Sequence, residues 1–394
     1  MVTNNSTETS SFVSGVNQAD PRPGMVELGP GYLDPALLPT RLMRRCATRA
    51  LDRWGAQTLA YGANAGPLAL RAELATRMTS AGGSPCAVGN VLTTGGTSSA
   101  LDHIAVRLAR EGRVLLTESL TYDLGRMIFT SRGVRTIAVP GPLDDIDVDE
   151  FRRVATRAGR DSGRPAALYL IPTFHNPTGR VLCLSRRQEI VALAERLGLL
   201  VIEDQAYAEL SYGSTPPPTL WSCAADPERV ITLYSFAKCL APGIRVGWLV
   251  TGERLIAEFA ADPVRQSGGG ANHYAVMAVA VACLEGDLDR HIAALRKQLQ
   301  TRRDTLLNRI NGSLPDGYEV TAPLGGFFAW VRLPPDVDDR RLAREAEARG
   351  VSITPGHRFG TAERGVRLCF AASGLAELGL GATRLLAACR AVRT

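Results

Sequence analysis

The chain has 394 residues, 45% hydrophobic and 21% charged, with a formal net charge of +6. That is ordinary globular composition, long enough for a large core and two domains. Its arginines are dispersed, unlike a nucleic-acid tract, and no apolar stretch reaches the roughly eighteen residues of a membrane span.

In chain order, Met1 to Asp20 is rich in Ser, Thr and Asn and lacks the basic start and apolar centre of a signal peptide, so a flexible arm is expected. Glu27–Thr40, rich in Gly and Pro, is expected to run between the domains. From about residue 91, short apolar runs alternate with helical patterns. Val91–Thr93, Arg113–Thr117, Thr136–Pro140, Ala166–Ile171, Leu199–Ile202, Val230–Tyr234 and Val246–Val250 read as strands; Ser98–Arg110 and Ser185–Leu197 read as helices. This alternation predicts an α/β fold: a three-layer, mostly parallel sheet covered on both faces, with ligands beyond the C-terminal strand ends. After about residue 265 the pattern changes. A Gly-rich loop at 267–270 precedes a helical region, Ala275–Ile310, broken near Gly286. Phe327–Leu333, a helix over Arg340–Arg349, Val351–Thr354 and Val366–Phe370 then suggest a smaller α+β domain. The expected division is 1–45, arm and interdomain segment; 46–285, large domain; 286–394, small domain. The eight cysteines form no Cys-x-x-Cys pair, and no histidine falls at metal-ligand spacing. Free thiols in a reducing cytoplasm, and no metal, are expected.

Only two lysines stand against forty-three arginines. Lys297 lies in a charged amphipathic stretch and reads as a surface residue. Lys238 lies among apolar neighbours in Tyr234-Ser235-Phe236-Ala237-Lys238-Cys239-Leu240. A desolvated lysine gives up its proton near neutral pH, which arginine does not, and a neutral amine attacks carbonyls to form a Schiff base. A GC-rich genome that encodes arginine in place of lysine explains the scarcity of lysine but not this position.

Other polar residues fall where strands are expected to end. Asp204 follows the Leu199–Ile202 strand; it suits a cationic ring nitrogen, but taken alone it reads first as a helix N-cap. Tyr207 alone reads as a core aromatic, and Asn176-Pro177 as a turn. Gly95-Gly96-Thr97-Ser98-Ser99 joins a strand to a helix, where backbone N–H groups and hydroxyls suit a phosphate.

Taken in order, Tyr61-Gly62, Gly96-Thr97-Ser98, Asn176-Pro177-Thr178-Gly179, Asp204-Gln205-Ala206-Tyr207, Ser235-Phe236-Ala237-Lys238, Arg245 and Arg367-Leu368 resemble the fold type I pyridoxal-phosphate enzymes, class I/II aminotransferase family. The resemblance covers the chain from about Glu27 onward. It implies pyridoxal 5'-phosphate as cofactor, bound to Lys238 as a Schiff base, with Lys238, Asp204 and Tyr207 catalytic. Asp204 would pair with the pyridine nitrogen, Asn176 and Tyr207 with the ring oxygen, and Tyr122 would stack on the ring. Gly96, Thr97, Ser98, Ser235 and Arg245 would hold the phosphate. Tyr61 would reach the neighbouring subunit's phosphate, implying a homodimer with shared sites. Arg367 would grip the substrate α-carboxylate, with Asn176, Gly31 and Tyr32 beside it.

The departures from the family's pattern lie on the substrate side. Gly31-Tyr32-Leu33-Asp34 lacks a usual proline, His175 stands where glutamine is more usual, and the 267–274 loop is unusually Gly-rich. His357 and Arg358 also border the expected substrate. The first functional expectation is therefore an aminotransferase acting on an α-amino acid. A rival is a carbon–sulfur β-lyase on cysteine conjugates, or a decarboxylating or oxidising enzyme of specialised metabolism, because fold does not fix chemistry. A third is a transcription regulator with a helix-turn-helix ahead of this fold; only some twenty-five residues precede the region of resemblance, so nucleic acid is not an expected partner.

Overall fold

Apolar runs without alternation become strands buried on both faces, because helices cover the sheet from either side. In this computed structural model, residues 22–393 are described save 83, 214 and 361–363; the expected arm, Met1 to Asp20, lies outside them. The strands are β1 (Val26–Glu27), β2 (Val91–Thr94), β3 (Leu115–Glu118), β4 (Thr136–Val139), β5 (Ala167–Leu170), β6 (Leu200–Asp204), β7 (Val230–Ser235), β8 (Gly247–Val250), β9 (Glu319–Val320), β10 (Phe328–Arg332), β11 (Val351–Ser352), β12 (Thr354–Pro355) and β13 (Gly365–Cys369).

Seven strands form one sheet in the order β2-β8-β7-β6-β5-β3-β4, parallel except β8, which runs against both neighbours. Alternate side chains feed two cores. Leu168, Leu170 and Val201 pack on one face with helices Leu184–Leu197 and His273–Leu284. Tyr169, Ile202, Ile231 and Leu233 pack on the other with helix Thr97–Glu111.

The second sheet, β12-β13-β10-β9, is antiparallel and packs against helices Asp339–Ala348 and Leu375–Ala391 around a separate core. The expected single strand Val351–Thr354 is in fact two. The chain changes partners at Ile353: β11 pairs in parallel with β1, and β12 then pairs with β13. The expected break near Gly286 is a left-handed residue, φ 67°, between helices His273–Leu284 and Asp287–Ile310. The second helix serves both cores: Leu288, Ile292, Leu295 and Leu299 join the large one, and Leu306, Leu307 and Ile310 the small one.

The segment after β1 runs along the small sheet toward the large one. The Cys369 N–H donates to Leu28 O and the Asp34 N–H to Ala371 O, and Arg302 pairs with Asp34 at 2.6 Å. Gly31 is thereby carried to the turn that follows β7, where its carbonyl accepts from Lys238.

Candidate active site

β7 ends at Ser235, and the turn that follows presents Lys238. Its half-buried Nζ donates to Gly31 O at 2.8 Å and lies 5.8 Å from the Tyr207 ring centre and 5.9 Å from that of Phe327. Burial lowers the amine to about 8, with Arg367 and Arg245 pushing the same way and Asp204 opposing them.

Asp204 is the last residue of β6, inside the strand rather than after it. Its Oδ2 accepts from the Tyr169 hydroxyl at 2.8 Å and its Oδ1 from the Ala206 N–H at 3.0 Å. The helix-cap alternative is thus replaced by a local turn. Burial raises this carboxyl to about 6, although both hydrogen bonds and Lys238 favour the anion. Tyr207 is buried edge-on to Phe327 and Phe328. Tyr122 follows β3, half-buried; burial pushes its hydroxyl up to about 12, and the charge of Asp204 acts in the same direction.

One end of this cleft is a cradle. Helix Thr97–Glu111 begins at Gly96, whose φ of 94° suits glycine. A Cβ there would meet Arg245 Nη2 at 2.9 Å. Arg245 sits at φ 51°, rare for a residue with a side chain, and donates to Gly95 O at 3.1 Å. Thr97 Oγ1 is buried beside it without a hydrogen-bond partner. Ser98 is exposed in the first turn of the same helix, and Ser235 Oγ accepts the Ala237 N–H at 3.1 Å. An oxyanion suits this end: free helix N–H groups, an orphan hydroxyl and a guanidinium converge there.

At the other end, Arg367 of β13 is buried. Its Nη1 donates to Asn176 Oδ1 at 2.8 Å and its Nη2 to Gly29 O at 2.7 Å. The guanidinium lies over the rings of Phe328 and Phe359, at 4.2 and 4.8 Å, and its Nε is buried without a partner. Gly31 approaches so closely that a Cβ would strike Phe328 at 2.9 Å. Tyr32 is half-buried next to it.

The substrate-side departures resolve differently. His175 is buried against Thr178 Oγ1 at 2.8 Å and Glu118 Oε2 at 3.3 Å, with Arg180 on the other oxygen of Glu118. His357 pairs with Asp339 at 2.9 Å within the small domain. Arg358 crosses between domains to Asp123 at 2.8 Å, beside a bond from the Thr121 N–H to Phe359 O. Tyr61 stands apart. It is 88% exposed in a second concavity of about 690 Å3, lined also by Arg265, Gly268 and His273 of the Gly-rich region.

Sequence reasoning missed Tyr169, Glu118, Arg180 and Asp123. Tyr169 carried a signal, a polar tip within an apolar strand. The others carried none, since each acquires its partner only through tertiary structure.

The family model described as aminotransferase class I and II matches residues 38–385. The 2-aminoadipate transaminase of Thermus thermophilus is 31% identical over 381 residues, 93% of this chain and 92% of its own. An uncharacterized HTH-type transcriptional regulator of Bacillus subtilis, YisV, is 31% identical over 94% of this chain and 75% of its own. Among solved structures, the α-aminoadipate aminotransferase LysN from Thermus thermophilus, complexed with N-(5'-phosphopyridoxyl)-L-leucine, is similar with a TM-score of 0.84 at 29% identity, over 94% of this chain and 93% of that one. The chain belongs to the class I and II aminotransferase family.

Proposed function

We propose that this chain is an aminotransferase for an α-amino acid that binds pyridoxal 5'-phosphate through Lys238. The observation that carries the reading is the half-buried Lys238 amine, lowered to about 8, in one cleft with Asp204 and Arg367. The orphan Thr97 hydroxyl and the Gly96–Arg245 cradle fit the cofactor's phosphate, and the similarity to a phosphopyridoxyl complex supports the same group. When bound, that cofactor supplies an aldehyde for an amine and a ring that withdraws electrons from the substrate's Cα.

The chain's own residues would then act as follows. Asp204 holds a protonated ring nitrogen by charge, and Tyr207 and Asn176 hydrogen-bond the ring oxygen. Tyr122 provides a ring face. Arg367 binds the α-carboxylate through its planar fork, assisted by Asn176, with Gly31 and Tyr32 closing from the N-terminal side. Lys238, about one-tenth neutral at pH 7 for an amine near 8, takes the proton from the substrate's Cα. Phe327, Phe328 and Phe359 keep the surroundings apolar, which strengthens the attraction between opposite charges there.

The comparisons do not favour lyase, decarboxylase or oxidase chemistry. Incubating the cofactor-loaded protein with single amino acids, without keto acid, tests the reading. One keto acid released per site, with nitrogen retained on the protein until a keto acid is added, is the expected result. Ammonia, carbon dioxide or peroxide accumulating without retained nitrogen overturns it.

The 88% exposed Tyr61 and 72% exposed Leu59 in their concavity support a homodimer, in which Tyr61 serves the partner's phosphate cradle. Light scattering that finds only monomer at micromolar concentration contradicts this. All eight cysteines are unpaired, and among the described residues no helix is long and apolar enough to cross a membrane.

A further inference from the structure

Tyr169 lies inside β5, a strand whose other residues are Ala167, Leu168 and Leu170. The parallel register places it opposite Ile202 of β6. Residues two apart on a strand share a face, so Asp204 lies on Tyr169's face, one diagonal step away. A diagonal neighbour is within reach of a tyrosine, and the hydroxyl closes on Asp204 Oδ2 at 2.8 Å. The side chain is fully buried and held by the Phe129 ring, 6.1 Å between centres.

We propose that Tyr169 is a positioning residue for the cofactor: its hydroxyl fixes the orientation of the Asp204 carboxylate and keeps it ionised for a protonated ring nitrogen. This rests on the reading of Lys238 and Asp204 given above. An ionised carboxylate offers about four lone-pair positions. Tyr169 occupies one on Oδ2 and the Ala206 N–H one on Oδ1, which locks the plane and leaves one position free on each oxygen.

The surroundings make the hydroxyl matter. Burial drives Asp204 toward the neutral acid. Glu203, next in the strand, pushes the same way, although its carboxylate is turned to Thr232 Oγ1, Gln205 Nε2 and the Leu220 N–H. Lys238 opposes them with its charge. Tyr122 and Tyr207 are both raised by burial and stay neutral. Hydrogen bonds to the anion supply the remaining opposition, and Tyr169 donates the only one from a side chain among those described. Losing a hydrogen bond to a charged group moves such a carboxyl up by about one to two pH units. Asp204 would then be about half protonated or more at neutral pH.

A buried tyrosine also needs a partner for its own sake, and the test separates the two roles. Full-length protein free of cofactor is titrated with pyridoxamine phosphate from about pH 5 to 9, around Asp204's position near 6. This amine form lacks the aldehyde, so its Kd reads the ring contact without a bond to Lys238. In the wild type, affinity is expected to fall as pH drops through about 6. In Tyr169→Phe the acid limb moves up by about one pH unit, weakening binding about twofold at pH 7 and about tenfold toward pH 5. Placing 3-fluorotyrosine at 169, a more acidic donor of nearly the same shape, moves the limb the other way and carries the test if the Phe variant does not fold. The phosphate's own titration is common to all three proteins and cancels. An unmoved limb, even with a lowered melting temperature, overturns the positioning role. Wild-type protein that does not bind pyridoxamine phosphate overturns the functional reading instead.

Discussion

Arg367 of β13 donates to Asn176 Oδ1 across 2.8 Å, tying the small domain's sheet to the loop that leaves β5 of the large one. The bond occupies the oxygen of the Asn176 amide and leaves its Nδ2 as a donor. It also aims the guanidinium, whose second arm is fixed on Gly29 O. One buried arginine thus holds three separate parts of the chain in register where a carboxylate would sit.

Arg367→Lys is therefore not conservative. A lysine offers a point charge and no planar fork, and it abandons the bond to Asn176 or the one to Gly29. Losing a buried charged partner costs about 2–4 kcal/mol, so kcat/KM for the amino acid is expected to fall by about thirty- to a thousandfold. Most of the loss should appear in KM, and adding the cofactor should not rescue it. Steady-state kinetics that leave KM unchanged would remove Arg367 from the carboxylate site.

Lys238→Ala is expected to abolish turnover while leaving the fold intact, because the side chain is half-buried and its one hydrogen bond is to Gly31 O. Cofactor would still bind through Asp204 and the cradle, but borohydride treatment would no longer fix it to the peptide spanning 238. In the wild type, the rate of cofactor capture should rise with pH up to about 8 and then level off, as the amine loses its proton. Capture that is flat between about pH 6 and 9 contradicts a neutral-amine attack.

Gly96→Ala tests the cradle. The φ of 94° costs an alanine about 1–2 kcal/mol, and its Cβ would push Arg245 Nη2 from 2.9 Å. A lower melting temperature should accompany weaker binding of inorganic phosphate and of cofactor. A loss of stability with phosphate affinity intact would place the phosphate elsewhere.

The order of strands and helices was legible because buried parallel strands are written as unbroken apolar runs. What escaped the pattern is what depends on pairing. β8 reads like its neighbours but runs antiparallel, since a short apolar run carries no direction. Val351–Thr354 looks like one strand, and only the change of partner at Ile353 divides it. The site was legible at Lys238, Asp204 and Arg367, residue types rare among apolar neighbours. Tyr169 carried only its polar tip as a signal, and its apolar strand gave no sign of the partner Asp204. Arg358 was noticed, but its partner Asp123 comes from the other domain, 235 residues away in sequence.

His175, next to Asn176, is read most directly through acid stability. His175 is buried, and burial lowers its pKa below the usual 6.5, with Glu118 acting in opposition. Burial alone would raise Glu118, but Arg180 and His175 more than offset it and hold the carboxyl at about 2. In the unfolded chain His175 takes up its proton as pH falls below about 6.5, while the folded protein does so only at lower pH, so stability declines across that interval. Glu118 contributes stability in full above its unfolded value of about 4.5, and that contribution is lost as pH falls toward 2. Acid unfolding should therefore proceed in two windows. His175→Asn is expected to flatten the first and narrow the second, because His175 helps Arg180 to hold Glu118 ionised. Glu118→Gln strands the Arg180 charge and should cost about 3–5 kcal/mol at pH 7, a deficit that shrinks on acidification below about 4.5. Urea melts of the three proteins across pH measure both. A deficit for Glu118→Gln that stays constant down to about pH 3 would mean that Glu118 is not held ionised in the fold.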